Sequence, residues 1–345
     1  MNNQKLLSIL IPTYNRADVI SYTISLFEEQ VKRNIDECEL IVCDNASQDS
    51  TENVLKKFEK EHPFFKFVEY SEHVEVGDSI TRSIENANAK FFIVFGDDDL
   101  PAPFMIDTIL YELKKYPDIG MLVFNRLAGS SSLYSSGVEG VHVESSSILN
   151  SYEEYYPNFK QFANLYNIPA GFISVDVVRL ESWRKYYRDV YPNNHEGWNY
   201  MVPYLYSVRE YPALYLQYPL CTRRTPAKTG NGGHHQWENK WGMIIFVAKG
   251  RVLSSLAKYD IIDDWKQIYQ NYIGDLQTMF YKLTSMTNAQ NLAPYIDELC
   301  SYQKDNKRIR MLKRLVLSTN GVTFLLWKQY YKCGFALHNL LKKIR

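Results

Sequence analysis

Three aspartates in a row, Asp97, Asp98 and Asp99, follow the apolar run Phe91-Phe92-Ile93-Val94-Phe95 with only Gly96 between. Adjacent carboxylates repel and raise one another's pKa unless a cation neutralises them. Hard divalent ions such as Mg²⁺ or Mn²⁺ take oxygen ligands and complete their shell with substrate phosphates. The triplet therefore reads as a place where a diphosphate is held through metal, with Asp97 and Asp99 flanking Asp98. The competing reading is a solvated turn or helix cap. Two other apolar runs weigh against it, because each also ends in a polar cluster. Leu6 to Ile11 runs into Pro12-Thr13-Tyr14-Asn15-Arg16, and Leu40 to Cys43 runs into Asp44-Asn45-Ala46-Ser47-Gln48-Asp49. Open parallel sheets bind ligands beyond the carboxyl ends of their strands, so all three clusters are expected along one edge. Asp44 is then placed to accept hydrogen bonds from a base or ribose.

The elements that must position these residues follow from periodicity. Five short apolar runs (Leu6 to Ile11, Leu40 to Cys43, Phe65 to Val68, Phe91 to Phe95, Met121 to Phe124) alternate with helical patterns. That alternation predicts an α/β fold with a mostly parallel, Rossmann-like sheet flanked by helices. Ile20, Ile24, Phe27 and Val31 recur at helical offsets and make one stripe. The next crossover is expected to open with Asp49 capping and Glu52 reaching back. Val54, Leu55 and Phe58 then face the sheet. Ile80, Ile84 and Ala87 repeat the spacing, and Pro103 stands where the following helix would begin. Ser130 to Ser147 is a polar connection or hairpin. Tyr152 to Tyr218 holds 13 of the 27 tyrosines, which suggests an aromatic-rich surface or pocket. From about Trp237 the pattern is helical, with Ile244, Ile245, Ala248, Val252 and Leu256 on one face and Trp265, Ile268, Tyr272, Leu276 and Phe280 on another.

The balance of 39 basic against 39 acidic residues implies no overall electrostatic partner. From Gln303 to Arg345, however, eleven Lys or Arg stand against one Asp. Leucines and aromatics accompany that charge, which suits an anionic membrane interface; helices packed on the body with a solvated basic face are the competing account. No nucleic-acid motif accompanies it, so no nucleic acid is expected as a partner. No apolar run is long enough to span a bilayer, and the expectation is a cytoplasmic protein, peripheral on the cytoplasmic face of the inner membrane. The five cysteines (Cys38, Cys43, Cys221, Cys300, Cys333) form no C-x-x-C pair and are expected as buried free thiols.

The segment from Leu6 to about Arg126 resembles the inverting glycosyltransferase family 2, of the GT-A fold. The matching motifs are SILIPTYNR, LIVCDNASQDST, VGDSITRSIENA and FFIVFGDDDLPAP. The resemblance implies a nucleotide-diphospho-sugar donor, with a UDP-sugar favoured. It implies that Pro12, Thr13, Asn15 and Arg16 line the nucleotide pocket, with Tyr14 and Asn45 in the same clusters, and that Asp44 contacts the base. Asp97 and Asp98 would serve ribose and diphosphate, and Asp99 the Mg²⁺ or Mn²⁺ ion. Gly96 departs from the pattern, since many members carry an Asp there. Arg82 stands either near the phosphates or in a surface salt bridge.

An inverting transfer needs a base to take the acceptor proton. The family places it before an aromatic helix, where this chain has His195-Glu196-Gly197-Trp198. Glu196 is the candidate and His195 its rival; a cap for the next helix is the competing role for Glu196. Ile168 to Ser174 resembles the strand that floors the acceptor site. Arg223-Arg224 precedes a Gly-rich loop in which His234 would meet metal or diphosphate, unless the loop is an exposed connector. The implied organisation is a GT-A domain over 1–226, divided into a nucleotide-sugar-binding half (1–126) and an acceptor-binding half (127–226), followed by a helical region over 237–345.

The acceptor would be a glycan or a polyprenyl-linked sugar, in bacterial O-antigen or capsule assembly. A sugar nucleotidyltransferase shares such a sheet but needs a Gly-rich phosphate loop after the first strand, where Pro12 to Arg16 contains no glycine. A dehydrogenase would need G-x-G-x-x-G. A non-catalytic sugar-binding module is separated from these by an assay for metal-dependent donor hydrolysis.

Overall fold

The computed structural model describes residues 4–129, 142–143, 152–166, 172–190, 200–224, 247–273, 295–302 and 314. The first four expected strands form: β1 (Leu7–Thr13), β2 (Cys38–Asp44), β3 (Lys66–Glu69) and β4 (Phe91–Val94). β1 pairs in parallel with both β2 and β4, and β2 with β3. Ile9, Leu10, Ile11, Ile41, Val42, Phe92 and Ile93 are fully buried, as unbroken apolar runs require when helices cover both faces of a sheet. The order β3-β2-β1-β4 means that the chain walks outward from β1 and then crosses back to its other side. The crevice between β1 and β4 is the switch point, where an α/β sheet opens for a ligand.

Beyond β4 the sheet becomes mixed. The order continues through β9 (Asp176–Arg179), β6 (Met121–Gly129), β10 (Ala213–Arg224) and β5 (Leu100–Pro101). β9 is antiparallel to both β4 and β6, whereas β10 runs parallel to β6 over their whole length. Two register shifts flank Pro219, which has no N–H to give to a ladder. β8 (Glu153–Tyr156) is antiparallel to β10, and β7 (His142–Val143) to β6.

The helices correct several expectations. The Ile20 to Val31 stripe is fully buried, but over two helices, α1 (Ile20–Ser25) and α2 (Glu28–Arg33), because Phe27 N–H bonds to Ile24 O at 2.9 Å and tightens the turn. α3 (Thr51–Glu61) lacks the expected reciprocal cap. Asp49 accepts from Thr51 N–H at 2.9 Å, while Glu52 pairs with Lys56 on the next turn instead of reaching back. Of the residues expected to face the sheet, Leu55 alone is fully buried; Val54 and Phe58 are partly covered. α4 (Val76–Ile84) buries Ile80 and Ile84 as expected. α5 (Met105–Lys115) starts two residues after Pro103. Its first turn is held by Gln30, whose amide donates to Ala102 O at 2.9 Å and accepts from Ile106 N–H at 3.0 Å. The expected acceptor-floor strand is displaced: Ile173–Val175 is a 3-10 turn and the strand is β9, while 168–171 lie outside the described residues. α6 (Phe159–Tyr166), α7 (Leu180–Val190) and α8 (Met201–Ser207) complete this part.

The chain divides into two compact units, Met1–Gly232 and Gly233–Arg345. In the second, residues 247–258, Trp265–Ile273 and Ile296–Ser301 are helical, and Ala248, Val252 and Leu256 are buried. Arg251 grips Glu298 through two bonds of 2.6 and 2.7 Å. Among the described residues no helix is long and apolar enough to cross a membrane. Cys38, Cys43 and Cys221 are buried, and burial pushes the Cys43 thiol up to about 11.

Candidate functional site

The parallel register brings two of the polar clusters side by side, with Thr13 opposite Asp44 and Asn45 N–H bonded to Thr13 O at 2.9 Å. β4 delivers the third on the other side of β1. Phe95 N–H bonds to Leu10 O at 2.8 Å, and the Thr13 hydroxyl donates to Asp97 Oδ2 at 2.8 Å. Arg16 Nε lies 3.3 Å from both Asp97 oxygens, and Thr23 of α1 donates to Asp97 O at 2.8 Å. The first neutraliser of the acidic triplet is thus a guanidinium from the β1 cluster. Burial raises the Asp97 pKa, Arg16 and Thr13 oppose this, Asp98 adds to it, and the net direction is upward. For Arg16, burial disfavours the charge, but Asp97 and Asp98 outweigh it and raise its pKa.

Asp99 is treated differently. It is 4% exposed and accepts a hydrogen bond from Ser174, whose Oγ in turn accepts Gly96 N–H at 2.8 Å. This explains the departure at Gly96. A Cβ there would stand 2.6 Å from Asp99 Oδ2 and 3.3 Å from Ser174 Oγ, so a side chain at 96 would force the Asp99 carboxylate to move.

The β1–β2 corner is built by short polar side chains. Asn15 and Ala46 hold left-handed backbone angles (φ 54 and 59°), a region that Asn tolerates well. Asn15 N–H bonds to Ser47 Oγ at 2.9 Å and its side chain accepts Gln48 N–H at 2.8 Å, while Arg16 N–H bonds to Thr51 Oγ1 at 2.7 Å. Asp44 accepts from the Ser47 hydroxyl and amide; burial nevertheless raises its pKa above the usual carboxylate range. Asn45 exchanges bonds with Val74, donating to its O at 2.9 Å and accepting its N–H at 3.1 Å. The Tyr14 ring packs on His73, with centroids 4.1 Å apart. Pro12 is the penultimate residue of β1, opposite Cys43.

Of the two roles expected of Arg82, the surface salt bridge is absent among the described residues. Its guanidinium lies 3.8 Å over the Tyr70 ring, donates to Glu72 O at 2.9 Å and to Asn45 Oδ1, and forms no ion pair among the described residues. Burial lowers its pKa. Glu196, His195 and His234 lie outside the described residues, as do the Gly-rich loop and the basic tail apart from Arg314. Ser174, Thr23, Ser47 and His73 carry contacts to which the sequence motifs assigned no role. Ser174 stood at the end of the acceptor-floor motif, the one signal that pointed near it.

The donor set at Asp97 to Asp99 is all oxygen, which suits a hard dication. Among the described residues no three His, Cys, Asp or Glu gather into a cage. The arrangement fits a cation held by one or two carboxylates and completed by phosphate and water, as Mg²⁺ commonly is.

Residues 8–173 match the Glycosyl transferase family 2 model. Over 96 residues the chain is 31% identical to abequosyltransferase RfbV of Salmonella typhimurium, a stretch covering 27% of this chain and 28% of that protein. Over 131 residues it is 26% identical to poly-beta-1,6-N-acetyl-D-glucosamine synthase of Staphylococcus epidermidis, covering 37% and 30%. The chain therefore spans less than a third of each of these relatives. The crystal structure of S. aureus TarS 1–349 in complex with UDP-GlcNAc shares the fold, with a TM-score of 0.57 at 12% identity, over 95% of this chain and 92% of that one. The GT-A sheet, the three polar strand ends at its switch point and the match over residues 8–173 together place that segment with glycosyltransferase family 2.

Proposed function

We propose that the chain transfers a sugar, with inversion, from a nucleotide-diphospho-sugar to a glycan or polyprenyl-linked acceptor in bacterial surface-polysaccharide assembly. The observation that carries this reading is the linkage of β1 to β4 through Thr13, Asp97 and Arg16, with Asp44 on one side and buried Asp99 on the other. The Asp44 corner beside the Asp97 to Asp99 oxygens supports reading the first as a nucleoside pocket and the second as a diphosphate site. In this reading Thr13, Tyr14, Asn15, Asp44 and Asn45 take the nucleoside, Arg16 steadies Asp97, and Asp98 and Asp99 face the diphosphate. Bound Mg²⁺ or Mn²⁺ would supply Lewis-acid stabilisation of the leaving diphosphate. Glu196, or His195, removes the acceptor proton as that oxygen attacks the anomeric carbon. The relatives named for abequosyl transfer and for a poly-N-acetylglucosamine synthase support a polysaccharide setting, and the UDP-GlcNAc complex of TarS supports a UDP-sugar. Domain limits of 1–226 and 237–345, and a basic tail resting on the cytoplasmic membrane face, belong to the same proposal.

The test is a panel of nucleotide-sugars screened with and without Mn²⁺, for thermal stabilisation and for donor turnover. Stabilisation and turnover that require Mn²⁺ are expected with a UDP-sugar. Asp99→Ala is expected to lower turnover by about 10³-fold or more and to remove its metal dependence, with the metal-free melting curve retained. Full activity in that variant refutes the reading. A donor that binds and is never turned over, with any acceptor or with water, points to a sugar-binding module instead.

A further inference from the structure

We infer that Ser174 is a positioning residue for Asp99, its hydroxyl setting the direction in which that carboxylate meets a divalent cation. The inference rests on the donor-site reading above. A serine hydroxyl has one hydrogen. Gly96 N–H can only donate, and it does so to Ser174 Oγ at 2.8 Å, which leaves the hydroxyl's own hydrogen for Asp99 Oδ2. The direction of the relay is therefore unambiguous: backbone to hydroxyl to carboxylate. Asp99 N–H closes the turn on Gly96 O at 3.2 Å.

The torsion that orients a carboxylate is broad, so an Asp side chain has little orientation of its own. Holding one oxygen fixes the plane, and with it the direction of the other. The hold here is rigid, because Ser174 is fully buried and sits in the 3-10 turn Ile173–Val175 that feeds directly into β9. β9 is in turn paired to β4, the strand that carries the aspartates, with Ile93 opposite Val177. The bare Cα of Gly96 is part of the same device, since a side chain there would enter the space of Asp99 Oδ2 at 2.6 Å. Partners that orient ligating carboxylates typically govern metal affinity by about 10–100-fold.

The experiment measures Mn²⁺ binding in the presence of UDP, by the loss of the free-ion paramagnetic resonance signal, on wild type, Ser174→Ala and Gly96→Ala. Metal-free melting curves are recorded alongside. Ser174→Ala is expected to weaken Mn²⁺ binding by about 10-fold or more while UDP binding without metal stays at the wild-type level. Gly96→Ala, which displaces the same oxygen, is expected to do likewise. A folded Ser174→Ala protein with wild-type Mn²⁺ affinity overturns the inference and leaves the donor-site reading standing. Should Ser174→Ala not fold, wild-type affinity in Gly96→Ala overturns it equally. If the wild-type protein takes up no Mn²⁺ with UDP, the donor-site reading falls and this inference with it.

Discussion

The two halves of the sheet meet at the site, and each deals with an aspartate in its own way. Asp97 is answered from the parallel half, by Thr13 at the end of β1, Arg16 just beyond it and Thr23 on α1. Asp99, two residues later, is answered from the mixed half by Ser174, ahead of β9. The first carboxylate meets a full positive charge; the second is given a neutral hydroxyl, which stabilises a carboxylate without cancelling its charge. A site built this way has one acid tied to the frame by a guanidinium and one oriented by a hydroxyl. The lesson is that a run of three aspartates is not one unit, because what each side chain does is set by which half of the sheet reaches it.

Removing the framing acid is the strongest way to break this contrast. Asp97→Asn strands Arg16 at 19% side-chain exposure. Losing one partner of such a part-buried pair is expected to cost about 2–3 kcal/mol in chemical denaturation, with donor turnover also falling. A variant of unchanged stability would mean that solvent already screens the pair and that the two aspartates are alike. Thr13→Val keeps the shape, deletes the hydroxyl and is expected to cost about 1 kcal/mol, a smaller loss because Arg16 remains on Asp97. If Thr13→Val matched Asp97→Asn, the hydroxyl rather than the guanidinium would be the main support.

The smallest effect concerns Asp44, whose pKa burial raises from 3.8. The folded chain then holds this proton more tightly than the unfolded chain, so the contribution to stability is present below that value and is lost as pH rises through the higher folded one. Asp44→Asn escapes the loss. Its melting temperature relative to wild type is expected to improve between about pH 3.5 and pH 7, and a constant difference over that range contradicts the raised pKa.

Much of this was readable along the chain. The first four strands fall within one or two residues of the apolar runs; for β1, β2 and β4 the reason is that a strand buried on both faces needs an unbroken stretch of Val, Ile, Leu or Phe. The meeting of Thr13, Asp44 and Asp97 followed from the geometry of any parallel sheet with these ends. Ser174 was not readable in the same way. Asp176–Arg179 is as short and as buried as β4, and nothing in its spacing says that it will insert antiparallel between β4 and β6. Nor does local pattern show that Glu52 will choose Lys56 over a capping role, or that Arg82 will settle on Tyr70 and Asn45.

The sequence by itself determined the α/β class, the polar strand ends and the kind of chemistry that oxygen-rich clusters support, since these depend on residue type and on spacing along one chain segment. Only the tertiary structure decided which acid meets Arg16, which is held by Ser174, and what a side chain at position 96 would displace. Those outcomes turn on the approach of groups up to 84 residues apart to within hydrogen-bonding distance, and strand order creates that proximity where local periodicity cannot.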